Sequence, residues 1–143
     1  MKILILNGPN LNLLGKREPE IYGTVSFEEY LPKLKEAFPQ HEITYRQSNH
    51  EGALIDWLQE ADIQYDGIVM NPGGYAHTSI ALADCICAIS IPVVEVHISD
   101  ISKREPYRQQ SFTAKVCVKC IVGHGLKGYD EAIEFIESIV GEK

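Results

Sequence analysis

The sequence predicts a single α/β domain in which helices cover both faces of a parallel sheet. Short apolar runs such as Ile3–Leu6 alternate with segments of helical periodicity along the 143 residues. A short, continuous apolar run bounded by turn residues is typical of a strand buried on both faces. Strands that alternate with helices favour a parallel sheet joined by right-handed crossovers. The length fits one compact domain over residues 1–143.

Five strands are predicted from apolar and β-branched runs. Their expected ranges are Lys2–Asn7, Glu42–Gln47, Gly67–Asn71, Pro92–His97 and Val116–Val122. The second run is rich in β-branched and aromatic residues, which favour strands. The strand order that suits such alternation is a doubly wound, flavodoxin-like sheet with three αβα layers.

Four helices are predicted between and after these strands. The first begins at Ser26, which forms a capping-box pattern with Glu29, and runs to Ala37. The second is indicated by an apolar stripe around Leu54–Leu58. The remaining two are expected at Ser79–Ala88 and Tyr129–Val140.

The composition excludes several classes of function. The net charge of −7 argues against nucleic acid as a partner, because that binding needs a basic face. Lys2 is followed by only four apolar residues, so no signal peptide is expected. The weakly polar region Gly67–Val94 is interrupted by polar residues, glycines and a proline, which argues against a membrane span. We therefore expect a soluble, cytoplasmic protein that binds neither nucleic acid nor membranes.

The cysteines and one glycine motif suggest two sites that their context does not favour. Cys85 and Cys87, in a predicted helix, and Cys117 and Cys120, near a predicted strand, have spacings that place each pair on different faces. Buried structural thiols are therefore preferred over a zinc site. The segment Gly123–Gly128 fits the dinucleotide fingerprint G-x-G-x-x-G, but it joins the last strand to the last helix. A tight turn with close helix packing explains it better.

Polar residues concentrate in loops that follow strands one, three and four. Open α/β sheets bind ligands at the carboxyl ends of their strands, so these loops are expected to share one site. Asn7–Gly23 is long for a plain connection and carries amides, an arginine and a tyrosine. A nucleotide- or phosphate-binding module would instead need a first loop rich in glycine, serine or threonine. Such a non-catalytic flavodoxin-like module is the alternative function.

Two histidines are candidates for this site. Glu95 and His97 lie two apart on a strand and therefore point to the same face. A carboxylate beside an imidazole fixes its tautomer and favours its protonated form, as a general acid requires. A structural His–Glu pair at a strand end is the alternative. His77 follows a glycine-rich turn and by itself is typical of a helix start, and Arg104 and Arg108 could simply be solvated.

Four stretches together resemble the type II 3-dehydroquinate dehydratases over essentially the whole chain. They are Asn7–Gly23, Gln47–Gly52, Asn71–Ser79 and Glu95–Ser99. The resemblance implies the dehydration of 3-dehydroquinate to 3-dehydroshikimate in the shikimate pathway, or in quinate breakdown.

The resemblance also implies a role for each catalytic residue. Tyr22 would remove the proton next to the ketone, and Arg17 would favour the tyrosinate. Asn10 would stabilise the enolate oxygen, through a bound water. His97, oriented by Glu95, would protonate the departing hydroxyl.

The remaining implied contacts hold the substrate. Asn71, His77 and Arg108 would bind the ring hydroxyls. The backbone N–H groups of Ile98 and Ser99 would bind the substrate carboxylate, as consecutive N–H groups suit an anion. The arginines in these loops give a local positive sign that fits an anionic substrate.

Three further expectations follow from the resemblance and the residues. Asp84 would reach the site of a neighbouring subunit in a homo-dodecamer, a tetramer of trimers. No metal, imine or other cofactor is expected, because only Lys16 and Lys103 lie in the catalytic stretches and neither is in an evidently apolar pocket. Asp100 stands where the family usually has Asn, and its charge would disfavour a bound carboxylate unless it faces away or is paired.

Overall fold

Five parallel strands form one sheet in the order β2-β1-β3-β4-β5. The computed structural model describes residues 1–16 and 18–141, and of Tyr22 only the backbone. The strands are β1 Lys2–Asn7, β2 Glu42–Gln47, β3 Gly67–Asn71, β4 Val93–His97 and β5 Lys119–Val122. The chain adds β2 on one side of β1 and β3 on the other, so the strand order reverses between β1 and β3, as in flavodoxin-like sheets. This order confirms the predicted fold class.

Five α-helices accompany the strands in the described part of the chain. They are α1 Pro19–Tyr22, α2 Phe27–Ala37, α3 Glu51–Gln64, α4 Ile80–Ala88 and α5 Lys127–Val140. The predicted capping box is confirmed at α2, where the Ser26 hydroxyl accepts from the Glu29 N–H at 3.1 Å. The short α1 was not predicted. None of these helices combines the length and apolar character that a bilayer crossing requires.

The sheet separates two apolar layers. Alternate β1 side chains enter opposite layers: Ile3 and Ile5 pack with α2 and α5, whereas Leu4 and Leu6 pack with α3 and α4. Both faces of the central strands are therefore buried, which explains why their sequences are continuous apolar runs. On β4, Val94 and Val96 face the α5 layer. By alternation Glu95 and His97 face the α3 and α4 side.

The predicted fifth strand was too long at its beginning. Residues 114–116 form a 3₁₀ turn, and β5 starts only at Lys119. Cys117 therefore precedes the strand, and the argument that strand alternation separates it from Cys120 was wrong. The glycine motif behaves as predicted, because Gly123 and Gly125 adopt positive φ and Gly128 packs against Val96.

A buried tyrosine connects the two central strands to α5. Tyr129 is fully buried, and its hydroxyl donates to Asn7 Oδ1 at 2.8 Å. The same hydroxyl accepts from Asn71 Nδ2 at 3.2 Å. Burial raises the pKa of Tyr129, so the phenol keeps its proton and its role as donor.

We predict that Tyr129→Phe lowers the free energy of unfolding by about 1–3 kcal/mol. The substitution leaves the amides of Asn7 and Asn71 buried without this partner. Urea denaturation followed by circular dichroism measures the change. Tyr107→Phe is the control, because Tyr107 is largely exposed and should shift stability by less than about 0.5 kcal/mol. Equal effects of the two substitutions would contradict the prediction.

Candidate active site

The loops after β1 and β3 meet tightly at the point where the strand order reverses. Gly8 donates its N–H to the Asn71 carbonyl at 2.7 Å. A Cβ atom on Gly8 would lie 2.4 Å from the Pro72 carbonyl oxygen, so only glycine allows this approach. Gln47, at the end of β2, donates to the Gly8 carbonyl at 3.1 Å and joins a third strand end to the same place.

A pocket of about 120 Å³ opens at this edge of the sheet. Seven residues expected in the site line it: Asn10, Asn71, His77, His97, Ile98, Ser99 and Arg108. They come from the ends of β3 and β4, from the loops after β1 and β3, and from the connection between β4 and β5. The prediction that these loops share one site is therefore correct for the residues that the structure describes.

His97 and Glu95 form a buried pair behind the pocket. His97 Nε2 lies 2.6 Å from Glu95 Oε2, and both side chains are nearly inaccessible. Because a carboxylate at this distance accepts the ring proton, the imidazole carries it on Nε2. Nδ1 is then the ring nitrogen that can hydrogen-bond a ligand in the pocket. This geometry suits an imidazole that gives up and regains a proton beside a fixed negative charge.

Hydroxyl groups on the connection to β5 complete the surroundings of Glu95. Ser111 Oγ donates to Glu95 Oε2 at 2.7 Å, and Thr113 Oγ1 donates to Oε1. Ser111 also accepts from the Ala114 N–H at 3.0 Å, which fixes the direction of its own proton. A buried carboxylate needs such donors to replace lost water.

The thiol of Cys120 lies on the remaining side of this carboxylate, with Sγ 3.9 Å from Glu95 Oε2. Burial, together with the charge of Glu95, raises the pKa of the Cys120 thiol to about 12. The same two causes raise the pKa of Cys117. Both thiols therefore stay protonated near neutral pH, which makes them poor nucleophiles.

His77 and Asn71 are held by the protein on one side and face the pocket on the other. His77 Nδ1 lies 2.6 Å from the Gln110 carbonyl and must donate to it, so Nε2 is available to a ligand. Its ring stacks on that of His97 with centroids 6.1 Å apart. Asn71 is only 4% exposed, and its Oδ1 accepts from the Gly73 N–H at 3.1 Å. With Nδ2 donating to Tyr129, a single amide N–H of Asn71 remains for a ligand.

Two arginines place positive charge at the rim. Arg104 donates to Ser99 Oγ at 3.1 Å and lies 3.9 Å from Glu18 of the first loop. Arg108 Nε lies 2.9 Å from Glu105, but the pair is not aligned as a hydrogen bond. The pKa of Glu105 is lowered by a hydrogen bond from its own backbone and by the two arginines, so its carboxylate stays ionised.

Asp100 is paired and is not among the residues that line the pocket. Its Oδ1 accepts from the Ser102 N–H at 3.0 Å and from the Ser102 hydroxyl at 2.6 Å. These bonds, with a smaller effect of Lys103, lower the pKa of Asp100. Asp100 lines an adjoining depression together with Lys103 and Gly123, and this depression shares Ser99 and Arg104 with the pocket. Of the two arrangements that would reconcile this charge with a bound carboxylate, the paired one is present.

Arg17 and the side chain of Tyr22 lie outside the described residues. Asp84 is exposed on α4 and does not line the pocket.

Comparison with known proteins decides the family. A model of the family described as dehydroquinase class II matches residues 1–137. The chain belongs to the class II dehydroquinase family. Two relatives named 3-dehydroquinate dehydratase come from Bacillus licheniformis and an Exiguobacterium species. They are 54% and 52% identical to this chain, over 93% of it in each case and over 93% and 92% of their own lengths.

Solved structures of the class II dehydroquinase family support the same assignment. A type II dehydroquinase from Butyrivibrio crossotus superposes with a TM-score of 0.93 at 48% identity, over 96% of this chain and 97% of its own. A 3-dehydroquinate dehydratase-like protein from Bifidobacterium longum is more distant, with a TM-score of 0.68 and 25% identity. Its match covers 99% of this chain and 98% of its own.

Sequence reasoning missed one group of residues in this class II dehydroquinase and gave Arg104 only a general role. Arg104 was expected to add local positive charge in the site loops, and it lines the pocket. Ser111 and Thr113 carried no signal, because they lie in an irregular connection whose pairing with Glu95 depends on the tertiary fold. The spacing of two positions between Ser111 and Thr113 does not by itself indicate a contact with Glu95.

We predict that Thr113→Val lowers the free energy of unfolding by about 1.5–3 kcal/mol, the usual range for a hydrogen bond to a charged group. Valine keeps the shape of threonine but removes a donor to the buried Glu95 carboxylate. In a Glu95→Gln background the same substitution should cost clearly less, because the charge is gone. Urea denaturation of the four proteins of this cycle gives both values. Thr24→Val, at an exposed position, is the control, and an equal loss in both backgrounds would refute a Thr113–Glu95 interaction.

Proposed function

We infer that this chain is a type II 3-dehydroquinate dehydratase, a hydro-lyase of the shikimate pathway. It removes water from 3-dehydroquinate to give 3-dehydroshikimate. The observation that carries this conclusion is the buried His97–Glu95 pair opening on the pocket, in a chain that the family model matches over residues 1–137. Adding 3-dehydroquinate to the purified protein tests it, since the conjugated product absorbs in the ultraviolet and the substrate does not. No increase in absorbance would overturn the assignment.

The first step is the removal of the proton next to the ketone. We propose Tyr22 as the base and Arg17 as the cation that favours its tyrosinate form, on the strength of their positions in the Asn7–Gly23 motif. A tyrosine has a reference pKa of about 10, so it needs such a neighbour to act near neutral pH. The resulting enolate oxygen needs a donor where its charge develops. Asn10 lines the pocket and supplies an amide there, directly or through a water.

The second step is the loss of the hydroxyl group as water. His97 gives its proton to the departing oxygen, and the Glu95 carboxylate stabilises the imidazolium beforehand. The 2.6 Å separation and the burial of both groups support this role, because an ion pair is stronger away from water. The proton taken by Tyr22 and the proton given by His97 leave the enzyme unchanged overall once they re-equilibrate with solvent.

Substrate binding is assigned to the rest of the pocket. The single remaining N–H of Asn71, His77 Nε2 and Arg108 bind the ring hydroxyls. The N–H groups of Ile98 and Ser99 bind the carboxylate beside the positive side chain of Arg104. These assignments are supported by the lining of one pocket and by the positive rim on a chain of net charge −7. The proposed chemistry requires no metal or other cofactor.

The working enzyme is proposed to be a homo-dodecamer of four trimers in the cytoplasm. The exposed Asp84 would complete the site of the neighbouring subunit, and the apolar Ile80 on the same helix is 63% exposed. An apolar side chain beside an acidic one on a helix surface suits a subunit contact. All four cysteines are free, which fits a reducing compartment.

We predict that Tyr22→Phe and His97→Ala each lower kcat by at least ~100-fold, the usual size of an acid–base contribution. Circular dichroism should show that folding is retained. His124→Ala is the matched control, because His124 is exposed and pairs with Glu131. Near-normal turnover in Tyr22→Phe would remove Tyr22 as the base.

Mixed oligomers test the shared site. We expect Asp84→Ala and Tyr22→Phe each to be impaired alone and to regain part of the activity when they are assembled together. Some sites would then combine an intact Tyr22 with an intact Asp84 from the next subunit. Native mass spectrometry establishes that mixing has occurred. No recovery in proven mixed oligomers, or a fully active monomer in sedimentation, would defeat the shared-site proposal.

A further inference from the structure

Three different metal-binding side chains converge behind the pocket. The ligand atoms of Glu95, His97 and Cys120 all lie within 4.8 Å of one another. Glu95 and His97 are buried and Cys120 is partly buried. The register of the sheet causes this convergence, because Cys120 on β5 is directly opposite Glu95 on β4. No role in the proposed reaction uses the thiol.

The spacing of these atoms is close to that of a tetrahedral zinc site. Zinc binds thiolate sulfur at about 2.3 Å and imidazole nitrogen or carboxylate oxygen at about 2.0–2.2 Å. In a tetrahedron these bonds place sulfur and oxygen about 3.6 Å apart, and nitrogen and oxygen about 3.4 Å apart. The observed separations are 3.9 Å for Cys120 Sγ–Glu95 Oε2 and 2.6 Å for His97 Nε2–Glu95 Oε2. The His97–Glu95 contact would have to open by less than 1 Å to reach the tetrahedral separation, and the ligand atoms of His97 and Cys120 already lie within 4.8 Å of each other.

We propose that Glu95, His97 and Cys120 bind a thiophilic divalent cation, with Zn²⁺ as the reference ion, and that its binding inhibits the enzyme. The inhibition rests on the proposed function, whereas the binding does not. A thiolate, an imidazole and a carboxylate are a donor set that zinc accepts, with water in the fourth position. Coordination releases the thiol proton to solvent and transfers the ring proton of His97 from Nε2 to Nδ1, so the imidazole stays neutral. The bound cation and the two negative ligands then cancel in charge, which suits a buried position.

Binding would remove the general acid. With its Nε2 lone pair on the metal, His97 can no longer alternate between imidazole and an imidazolium that Glu95 stabilises. Cys120 provides a route of entry, because it is only partly buried whereas Glu95 and His97 are buried. Because the cation would bind Nε2, whereas Nδ1 is the ring nitrogen available to a ligand in the pocket, inhibition should not be competitive with 3-dehydroquinate.

The binding itself is tested with Co²⁺, which replaces Zn²⁺ and absorbs visible light when tetrahedral. Titration of the intact protein without substrate should give a thiolate-to-cobalt charge-transfer band, and Zn²⁺ should abolish it. Cys120→Val and His97→Ala should each weaken the apparent affinity by at least about 10-fold, as loss of a ligand must cost no less than loss of a supporting group. Cys87→Ser is the matched control, because Cys87 is exposed. A band that survives in His97→Ala but disappears in Cys87→Ser or Cys117→Ala would overturn the assignment in favour of a cysteine cluster.

The inhibition is tested by turnover assays at increasing Zn²⁺, each variant normalised to its own rate in a chelator. The intact enzyme should lose activity with rising Zn²⁺ and recover it on chelation. Cys120→Val should need at least about 10-fold more Zn²⁺ for the same loss. Equal sensitivity of Cys120→Val and the intact enzyme would refute the proposal. If no turnover occurs without metal, the proposed function fails, while the cobalt spectra still decide whether the metal site exists.

Discussion

The burial of one carboxylate constrains much of this structure. Glu95 lies buried on β4, between β3 and β5, where an unpaired charge would be strongly destabilising. Its oxygens are satisfied by His97 on the same strand and by Ser111 and Thr113 on the connection to β5. The connection must therefore return under the end of β4 before β5 can begin. That return shortens β5, supplies the Gln110 carbonyl that orients His77, and brings Arg108 to the rim of the pocket.

The sheet order supplies the second constraint. β1 and β3 are neighbours, but after them the chain continues toward opposite sides of the sheet. Beyond their close approach at Gly8, the two loops therefore diverge and leave a crevice at the carboxyl edge. The close approach at Gly8 keeps the two loops in a fixed relation, and Tyr129 ties Asn7 and Asn71 beneath them. The pocket thus has a rigid floor made of strand ends.

Local signals in the sequence were enough for most of the fold and for the front of the site. The capping box at Ser26, the apolar runs and the alternation of elements concern neighbouring residues, and the structure confirms them. The pairing of Glu95 with His97 is also local, since it follows from strand alternation. The contacts of Glu95 with Ser111, Thr113 and Cys120 join residues 16 to 25 positions apart through an irregular segment. No periodicity encodes such contacts, and for the same reason the start of β5 was misplaced.

The two sides of the His97–Glu95 pair have opposite electrostatic demands. The front is the side that opens on the pocket, and the back is the side formed by Ser111, Thr113 and Cys120. The proposed reaction requires the front to accept an anion, and there Asp100 is hydrogen-bonded to Ser102 while the arginines lie at the rim. The back must hold an anion without water, so it is built from hydroxyl and thiol donors rather than from a lysine or arginine. A permanent cation there would compete with His97 for the carboxylate and weaken the imidazolium that the proposed reaction needs. The absence of a fixed positive group among the described neighbours of Glu95 therefore suits the proposed acid catalysis. The same arrangement leaves a net negative, sulfur-containing recess that a divalent cation can neutralise.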